Sequence, residues 1–273
     1  ADAVVAVVGE GPYSEGFGDT NSLALPGEQP DLIETLADVG TPTASVIVAG
    51  RPLGSPETME TLDAAVMAYQ PGSAAGQAVG GVLFGDVNPS GRLPVTWPRS
   101  TGQLLNVYNQ LTPQSGTEAG NEPLFPFGHG ESYTDFEYSD LDLSPGRFGD
   151  GDDLGTLDIS VTVDNTGDRA GTDVVHAYNT QVYGSVIYPA SRLMGFERIT
   201  LDGDESDRVT IEAPIETLLT LTGDIGSPAE ELSIEDGKYA VSVGEMTETF
   251  TIGSGGYTEW EPGQSAESQA QDQ

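Results

Sequence analysis

The hydrophobic period changes near residue 136. Before that point apolar residues come in short unbroken runs, Val4 to Val8 and Ala44 to Ala49, with helical spacing between them. After it they alternate, as in Leu157, Ile159, Val161 and Val163. Unbroken runs suit strands buried on both faces of a parallel sheet layered with helices. Strict alternation suits half-buried strands of an antiparallel sandwich. One chain of 273 residues with both patterns predicts two domains of different class, α/β and then all-β.

The first pattern reads as strand, helix, strand, helix. Leu25-Pro26-Gly27-Glu28 opens a helix with Leu32, Ile33, Leu36 and Val39 at helical spacing, and Gly40 ends it. A second helix is predicted over Met59 to Tyr69 and a third, rich in Ala and Gly, over Ala74 to Phe84. Asp86 to Gly130 is punctuated by Asn88-Pro89, Leu93-Pro94, Trp97-Pro98 and Phe125-Pro126, which predicts a long ordered crossing segment. The second pattern predicts about seven short strands with turns such as Asp202-Gly203-Asp204 between them, an immunoglobulin-like sandwich. Residues 1–135 are expected to form a partial layered α/β domain with a mainly parallel sheet. Residues 136–252 are expected to form the β-sandwich, and 253–273 a disordered acidic tail.

Charge narrows the function. Asp plus Glu number 44 against 9 Lys plus Arg, a net charge of −35. Such a chain repels nucleic acid and anionic lipid, so neither is expected as a partner. Disorder and a folded surface adapted to high salt both fit the acidity. The periodic apolar blocks favour the second, because at molar salt the Debye length falls to roughly 3 Å. With no Cys and two isolated His, neither a thiolate nucleophile nor a zinc site is expected, and no cofactor is implied. No apolar stretch reaches membrane-spanning length. A chain starting at Ala1 just before a strand reads as a processed product or a fragment.

The stretch after the first strand, Gly9-Glu10-Gly11-Pro12-Tyr13-Ser14-Glu15-Gly16-Phe17-Gly18-Asp19, concentrates chemistry. A phosphate cradle fits poorly, since Ser14 stands at the third glycine position, Pro12 lacks a donor, and two Glu would repel a pyrophosphate. The C-terminal edge of a parallel sheet is where open α/β folds carry function. Glu15, between Ser14 and Gly16, is unobstructed, and Tyr13 and Phe17 offer aromatic surface suited to a sugar ring. A solvated acid on an acidic surface remains the competing reading of Glu15.

These residues resemble the acid/base loop of glycoside hydrolase family 3, the β-glucosidase and exo-β-glucanase family. Gly50-Arg51-Pro52, Val82-Leu83-Phe84-Gly85-Asp86-Val87-Asn88-Pro89-Ser90-Gly91-Arg92-Leu93-Pro94 and Phe125-Pro126-Phe127-Gly128-His129-Gly130 follow in the family's order. Val163-Asp164-Asn165-Thr166-Gly167 and Leu193-Met194-Gly195-Phe196 resemble the fibronectin type III-like domain that ends many of these enzymes. The resemblance makes Glu15 the catalytic acid/base and Glu10, Tyr13, Phe17 and Asp19 the rest of the site loop. It implies a β-glucoside or β-glucan substrate and no cofactor. Retaining glycosidases need two carboxyl groups about 5–5.5 Å apart. In this family the nucleophilic Asp sits on an N-terminal TIM barrel, so the implied partner is that domain, or a chain carrying it. The α/β domain's first strands are likewise expected to precede this sequence. The resemblance therefore implies a C-terminal portion that is inactive alone. A non-catalytic carbohydrate- or partner-binding module, or an adhesion module, is the alternative. His129 and His176 read as structural, Trp97 as either a sugar subsite or a packing residue, and the Asp150-Gly151-Asp152-Asp153 turn as linker in preference to a Ca²⁺ loop.

Overall fold

A computed structural model describes residues 1–103, 108–109, 122–149, 155–181, 184, 186, 188–224 and 227–253; the side chains of Glu15 and of 222–231 fall outside that description. The expected tail, from residue 254 onward, and the Asp150–Asp153 turn lie outside the described residues.

Three strands, β1 (Val4–Gly9), β2 (Thr43–Val48) and β3 (Ala64–Met67), form a parallel sheet in that order. Val4 pairs with Thr43 and Gly9 with Val48, so the strand ends are flush. Helix α1 (Gln29–Ala37) has a proline in its first turn, which preorganises φ, and Gly40 at φ +72° lies just beyond its end. Its fully buried Ile33 shares a core with Ala6, Val8, Ile47, Leu53, Met59 and Trp97. Each such side chain contributes roughly 1.5–3 kcal/mol by leaving water.

Two expectations for this region need correction. The first strand is not buried on both faces: Ala6 and Val8 are buried, but Val5 is 45% and Val7 69% exposed. β1 is one of the two edge strands of this sheet, and among the described residues no layer closes over the face that carries Val5 and Val7. Nor is Met59 to Tyr69 a helix. Helix α2 (Pro56–Glu60) begins earlier, where Ser55 accepts from the Thr58 N–H at 3.4 Å, and stops after a little more than one turn. The Asp63 carboxylate then accepts from the Thr43 N–H at 2.7 Å, and the Asp63 N–H donates to the Thr43 carbonyl at 3.0 Å. That exchange docks the chain beside β2, and ladder hydrogen bonds override the helical spacing of Leu62, Val66 and Tyr69.

Helix α3 (Ala75–Leu83) forms where expected but has no fully buried residue. The crossing segment is ordered where described: Leu93 and Trp97 exchange backbone hydrogen bonds with the 124–129 stretch, including Trp97 N–H to Phe125 O at 2.8 Å. Trp97 is 3% exposed, sits edge-to-face on Phe125 at 5.7 Å, and donates its indole N–H to the Gly54 carbonyl at 3.4 Å. It is a core residue, so its sugar-subsite reading is withdrawn.

Ten strands follow: β4 (Phe136–Ser144), β5 (Arg147–Phe148), β6 (Thr156–Asn165), β7 (Gly171–Gln181), β8 (Arg192–Leu201), β9 (Ser206–Pro214), β10 (Thr220–Asp224), β11 (Ser227–Ser233), β12 (Gly237–Val243) and β13 (Met246–Ile252). They make sheets ordered β4-β6-β9 and β5-β13-β12-β7-β8, with β10-β11 as a separate pair. The alternation expected of a fibronectin type III-like sandwich is plainest in β6, β7, β9 and β12. Leu157, Ile159, Val161, Val163, Val175, Ala177, Val241 and Val243 are all 0% exposed, so the strict alternation does mark the core.

The chain divides into two compact units. One is Ala1–Phe136 together with Asn165–Val174 and Arg198–Glu205; the other holds the rest. Asn165 ties the first unit's segments together. Its side-chain oxygen accepts from the Thr134 hydroxyl at 2.6 Å, and its amide donates to the Arg169 and Asp202 carbonyls at 2.9 Å. Asp173, 1% exposed, pairs with Arg92, which also donates to the Gly130 carbonyl at 2.5 Å.

Candidate functional site

The C-terminal ends of the three parallel strands deliver Gly9-Glu10, Gly50-Arg51 and Tyr69-Gln70 to one edge of the sheet. Gly9 has φ +150°, and a Cβ there would run into the Val48 carbonyl, so only glycine lets β1 end this close to β2. The Gln29 amide clamps Gly9 from both sides, accepting from its N–H at 2.7 Å and donating to its carbonyl at 2.9 Å. The Glu10 N–H continues the sheet by donating to the Val48 carbonyl at 3.1 Å.

From there the loop is organised around Arg51. Its Nε and Nη2 donate to Glu10 Oε1 at 3.1 and 2.6 Å, and Nη2 also donates to the Gly18 carbonyl at 2.5 Å. The guanidinium lies 5.0 Å from the centre of the Tyr13 ring. The Glu10 and Arg51 side chains are 14% and 26% exposed, enough burial for the pair to hold the loop where a fully solvated one would not. The hydrogen bond to Glu10 raises the Arg51 pKa, opposed by desolvation and supported by the Glu10, Tyr13 and Asp19 charges. Arg51 is therefore a fixed cation.

Tyr13 fills space left by two glycines. A Cβ on Gly18 would overlap the Tyr13 ring, and one on Gly50 would lie 2.6 Å from its hydroxyl. Residues Glu15–Gly18 form a single 3₁₀ turn, closed by Phe17 N–H to Ser14 O at 3.3 Å and Asp19 N–H to Gly16 O at 3.2 Å. Glu15 opens this turn; its side chain lies outside the described residues. Phe17 is 95% exposed and Asp19 is exposed. Of the loop residues singled out in the sequence, Glu10 and Tyr13 are thus engaged with Arg51, whereas Phe17 and Asp19 face water.

Three contributors had no functional role assigned from sequence. Arg51 was one residue of a motif; its scarcity among 44 acids at a strand end was the available signal. Gln29 gave no signal, because its partner is 20 residues away. Tyr69, at φ +52°, has a buried hydroxyl with no hydrogen-bond partner among the described residues, and burial raises its pKa. His129 stacks on Phe125 at 4.8 Å and lies 3.7 Å from the Glu131 carboxylate. Among the described residues no three His, Asp or Glu converge as metal ligands.

Comparison with known proteins addresses the family and the fold. Residues 1–133 match the glycosyl hydrolase family 3 C-terminal domain, and residues 173–247 match the fibronectin type III-like domain. A periplasmic beta-glucosidase of Salmonella typhimurium is 39% identical over 260 residues, covering 89% of this chain and 33% of that protein. A beta-xylosidase of Formosa agariphila is 36% identical over 251 residues, covering 89% of this chain and 34% of that protein. The crystal structure of a beta-glucosidase from Listeria innocua in complex with glucose superposes with a TM-score of 0.82 at 30% identity, covering 93% of this chain and 37% of that one. The chain thus spans about a third of the length of the relatives it matches. By its α/β domain, its sandwich and the homology that runs through both, the chain belongs to glycoside hydrolase family 3.

Proposed function

We propose that this chain supplies the acid/base side of a retaining β-glycosidase site, with Glu15 as the group that protonates the leaving oxygen. One observation carries the reading: the loop with Glu15 in its single 3₁₀ turn is tied at both ends by Arg51, at the C-terminal edge of the parallel sheet. In the first half-reaction the Glu15 proton passes to the glycosidic oxygen as the bond to the anomeric carbon breaks. A second carboxylate takes that carbon. In the second half-reaction the Glu15 carboxylate removes a proton from water, which displaces the enzyme carboxylate. Glu10, held in an ion pair, is a poor candidate for either role, and Asp19 is left to shape the loop's exposed end.

The second carboxylate is assigned to a family-type TIM barrel, so the chain taken by itself is proposed to leave β-glucosides intact. The relatives named beta-glucosidase and beta-xylosidase support a β-linked sugar with an equatorial leaving group. A carbohydrate- or partner-binding role without catalysis is the second reading, favoured by the chain's spanning only a third of its relatives.

The test is Glu15→Gln in the enzyme that combines this chain with a barrel domain, assayed on aryl β-glucosides. Loss of about 10²–10⁴-fold in kcat/KM is expected with a poorly acidic phenol as leaving group. A much smaller loss is expected with a strongly acidic one, which needs no proton. Equal rates for variant and parent on both substrates would remove Glu15 from the chemistry.

A further inference from the structure

We propose that Arg51 is the positioning residue for Glu15, an inference that rests on the acid/base reading above. Arg51 touches neither the scissile bond nor the sugar in this scheme. It acts by fixing the loop that carries the acid.

The geometry gives the fork three tasks at once. Nε and Nη2 grip Glu10 where the loop leaves β1, and Nη2 reaches the Gly18 carbonyl where the 3₁₀ turn ends. The guanidinium carbon lies over the Tyr13 ring, which packs against Gly18 and Gly50. Glu15 lies on the chain between these anchor points. Displacing either anchor moves the turn that Glu15 opens. Arg51 is itself held: Gly50 precedes it against the Tyr13 hydroxyl, and Pro52 after it disfavours the α region for the Arg51 backbone. A lysine offers a single point of charge and could satisfy one of the three contacts. General acid catalysis is sensitive to such shifts, because a misplacement of about 1 Å can cost about 10²-fold.

The experiment compares Arg51→Lys, Arg51→Leu, Glu10→Gln and Glu15→Gln in the same chain-plus-barrel enzyme. Both Arg51 variants are expected to lose about 10²-fold in kcat on the poorly acidic phenol, with KM within about 3-fold, because the sugar contacts are untouched. Glu10→Gln keeps the shape but not the charge and is expected to lose about 10-fold. On the strongly acidic phenol the slow step becomes hydrolysis of the glycosyl-enzyme. Azide, which attacks the anomeric carbon without giving up a proton and frees the enzyme carboxylate, should then restore turnover and yield the β-glycosyl azide for Glu15→Gln and the Arg51 variants alike. A residue that merely stabilises the fold would not produce that rescue.

The outcomes separate the two ideas. If Glu15→Gln is impaired and azide-rescued while Arg51→Lys, Arg51→Leu and Glu10→Gln match the parent, the positioning role is wrong and the acid/base reading stands. If Glu15→Gln itself matches the parent, both fall. If the Arg51 variants lose activity equally on both phenols with raised KM and no azide product, Arg51 shapes binding instead, and the positioning role again fails. Amide exchange in this chain without the barrel provides an activity-free check. Arg51→Lys should speed exchange of the Phe17 and Asp19 amides while leaving β6 and β12 protected, and unchanged exchange in the loop would count against the clamp.

Discussion

The two units close their sheets differently. In the sandwich unit the inward positions in the middle of β6, β7 and β12 are sealed, with Ile159, Val161, Val175 and Val241 all 0% exposed. In the α/β unit one side of the sheet is sealed by α1, while Val5, Val7, Phe84 and Val87 remain 45%, 69%, 87% and 52% exposed. Antiparallel strands need one covered face, because alternation puts polar residues on the other. Parallel strands with apolar residues on both faces need two covered faces. The sandwich therefore completes its own core, while the α/β unit keeps apolar surface at the strand that leads into the Arg51-clamped loop. The more completely sealed core and the loop proposed to carry the acid belong to different units.

The largest predicted effect tests that separation directly. Ile159→Ala should cost about 2–5 kcal/mol in denaturant unfolding, the loss expected for a sealed core position. Val7→Ala should cost less than about 0.5 kcal/mol, because the side chain is already in water. Comparable losses at the two positions would mean that Val7 is covered, and the contrast between units would collapse.

Salt should produce a smaller effect that sharpens the same contrast. We propose that the net charge of −35 reflects adaptation to high salt. Raising KCl from about 0.1 M to molar concentration shortens the Debye length from about 10 Å to about 3 Å and relieves self-repulsion. The thermal midpoint should rise, with the greater gain in the unit whose core is less sealed. The fluorescence of buried Trp97 in a Trp260→Phe background reports the α/β unit, and far-ultraviolet dichroism is dominated by the strands. A midpoint that stays level or falls with KCl would refute the adaptation.

The same contrast explains what sequence could and could not reveal. Strict alternation at Leu157 to Val163 identifies the sandwich because the period itself reports a single buried face. The unbroken run Val4 to Val8 identifies a strand but misreports Val5 and Val7, because composition does not say whether a second layer is present. Helical spacing over Met59 to Tyr69 misleads because Asp63 exchanges hydrogen bonds with Thr43, a pairing no local pattern encodes. At the site, Glu10, Tyr13, Glu15, Phe17 and Asp19 are legible as one loop because they are contiguous. Arg51 acquires a role only in three dimensions, since its carboxylate partner is 41 residues away. The joining of Asn165–Val174 and Arg198–Glu205 to the first unit is equally hidden, because it rests on contacts such as Thr134 with Asn165.

The smallest effect compares one half-buried tyrosine from each unit. Tyr69 in the α/β unit has a hydroxyl with no partner among the described residues, and burial alone raises its pKa. Tyr188 in the sandwich unit donates to the Glu235 carboxylate at 2.5 Å, and burial first, then that bond, push its pKa up. Tyr69→Phe removes an unsatisfied group and should be neutral or stabilising by a few tenths of a kcal/mol, while Tyr188→Phe should cost about 1–2 kcal/mol at neutral pH. The pH dependence has one sign for both. A phenol whose folded pKa lies above its unfolded value near 10 contributes stability that is full below pH 10 and lost as pH rises through the folded value. The unfolded chain ionises first above pH 10 and gains from doing so, so the parent should lose stability there and each Phe variant should lose less. Phenolate absorbance near 295 nm should accordingly show both residues ionising late. Were Tyr69→Phe to destabilise as much as Tyr188→Phe at neutral pH, the Tyr69 hydroxyl would have a partner, and the contrast between the two phenols would fail.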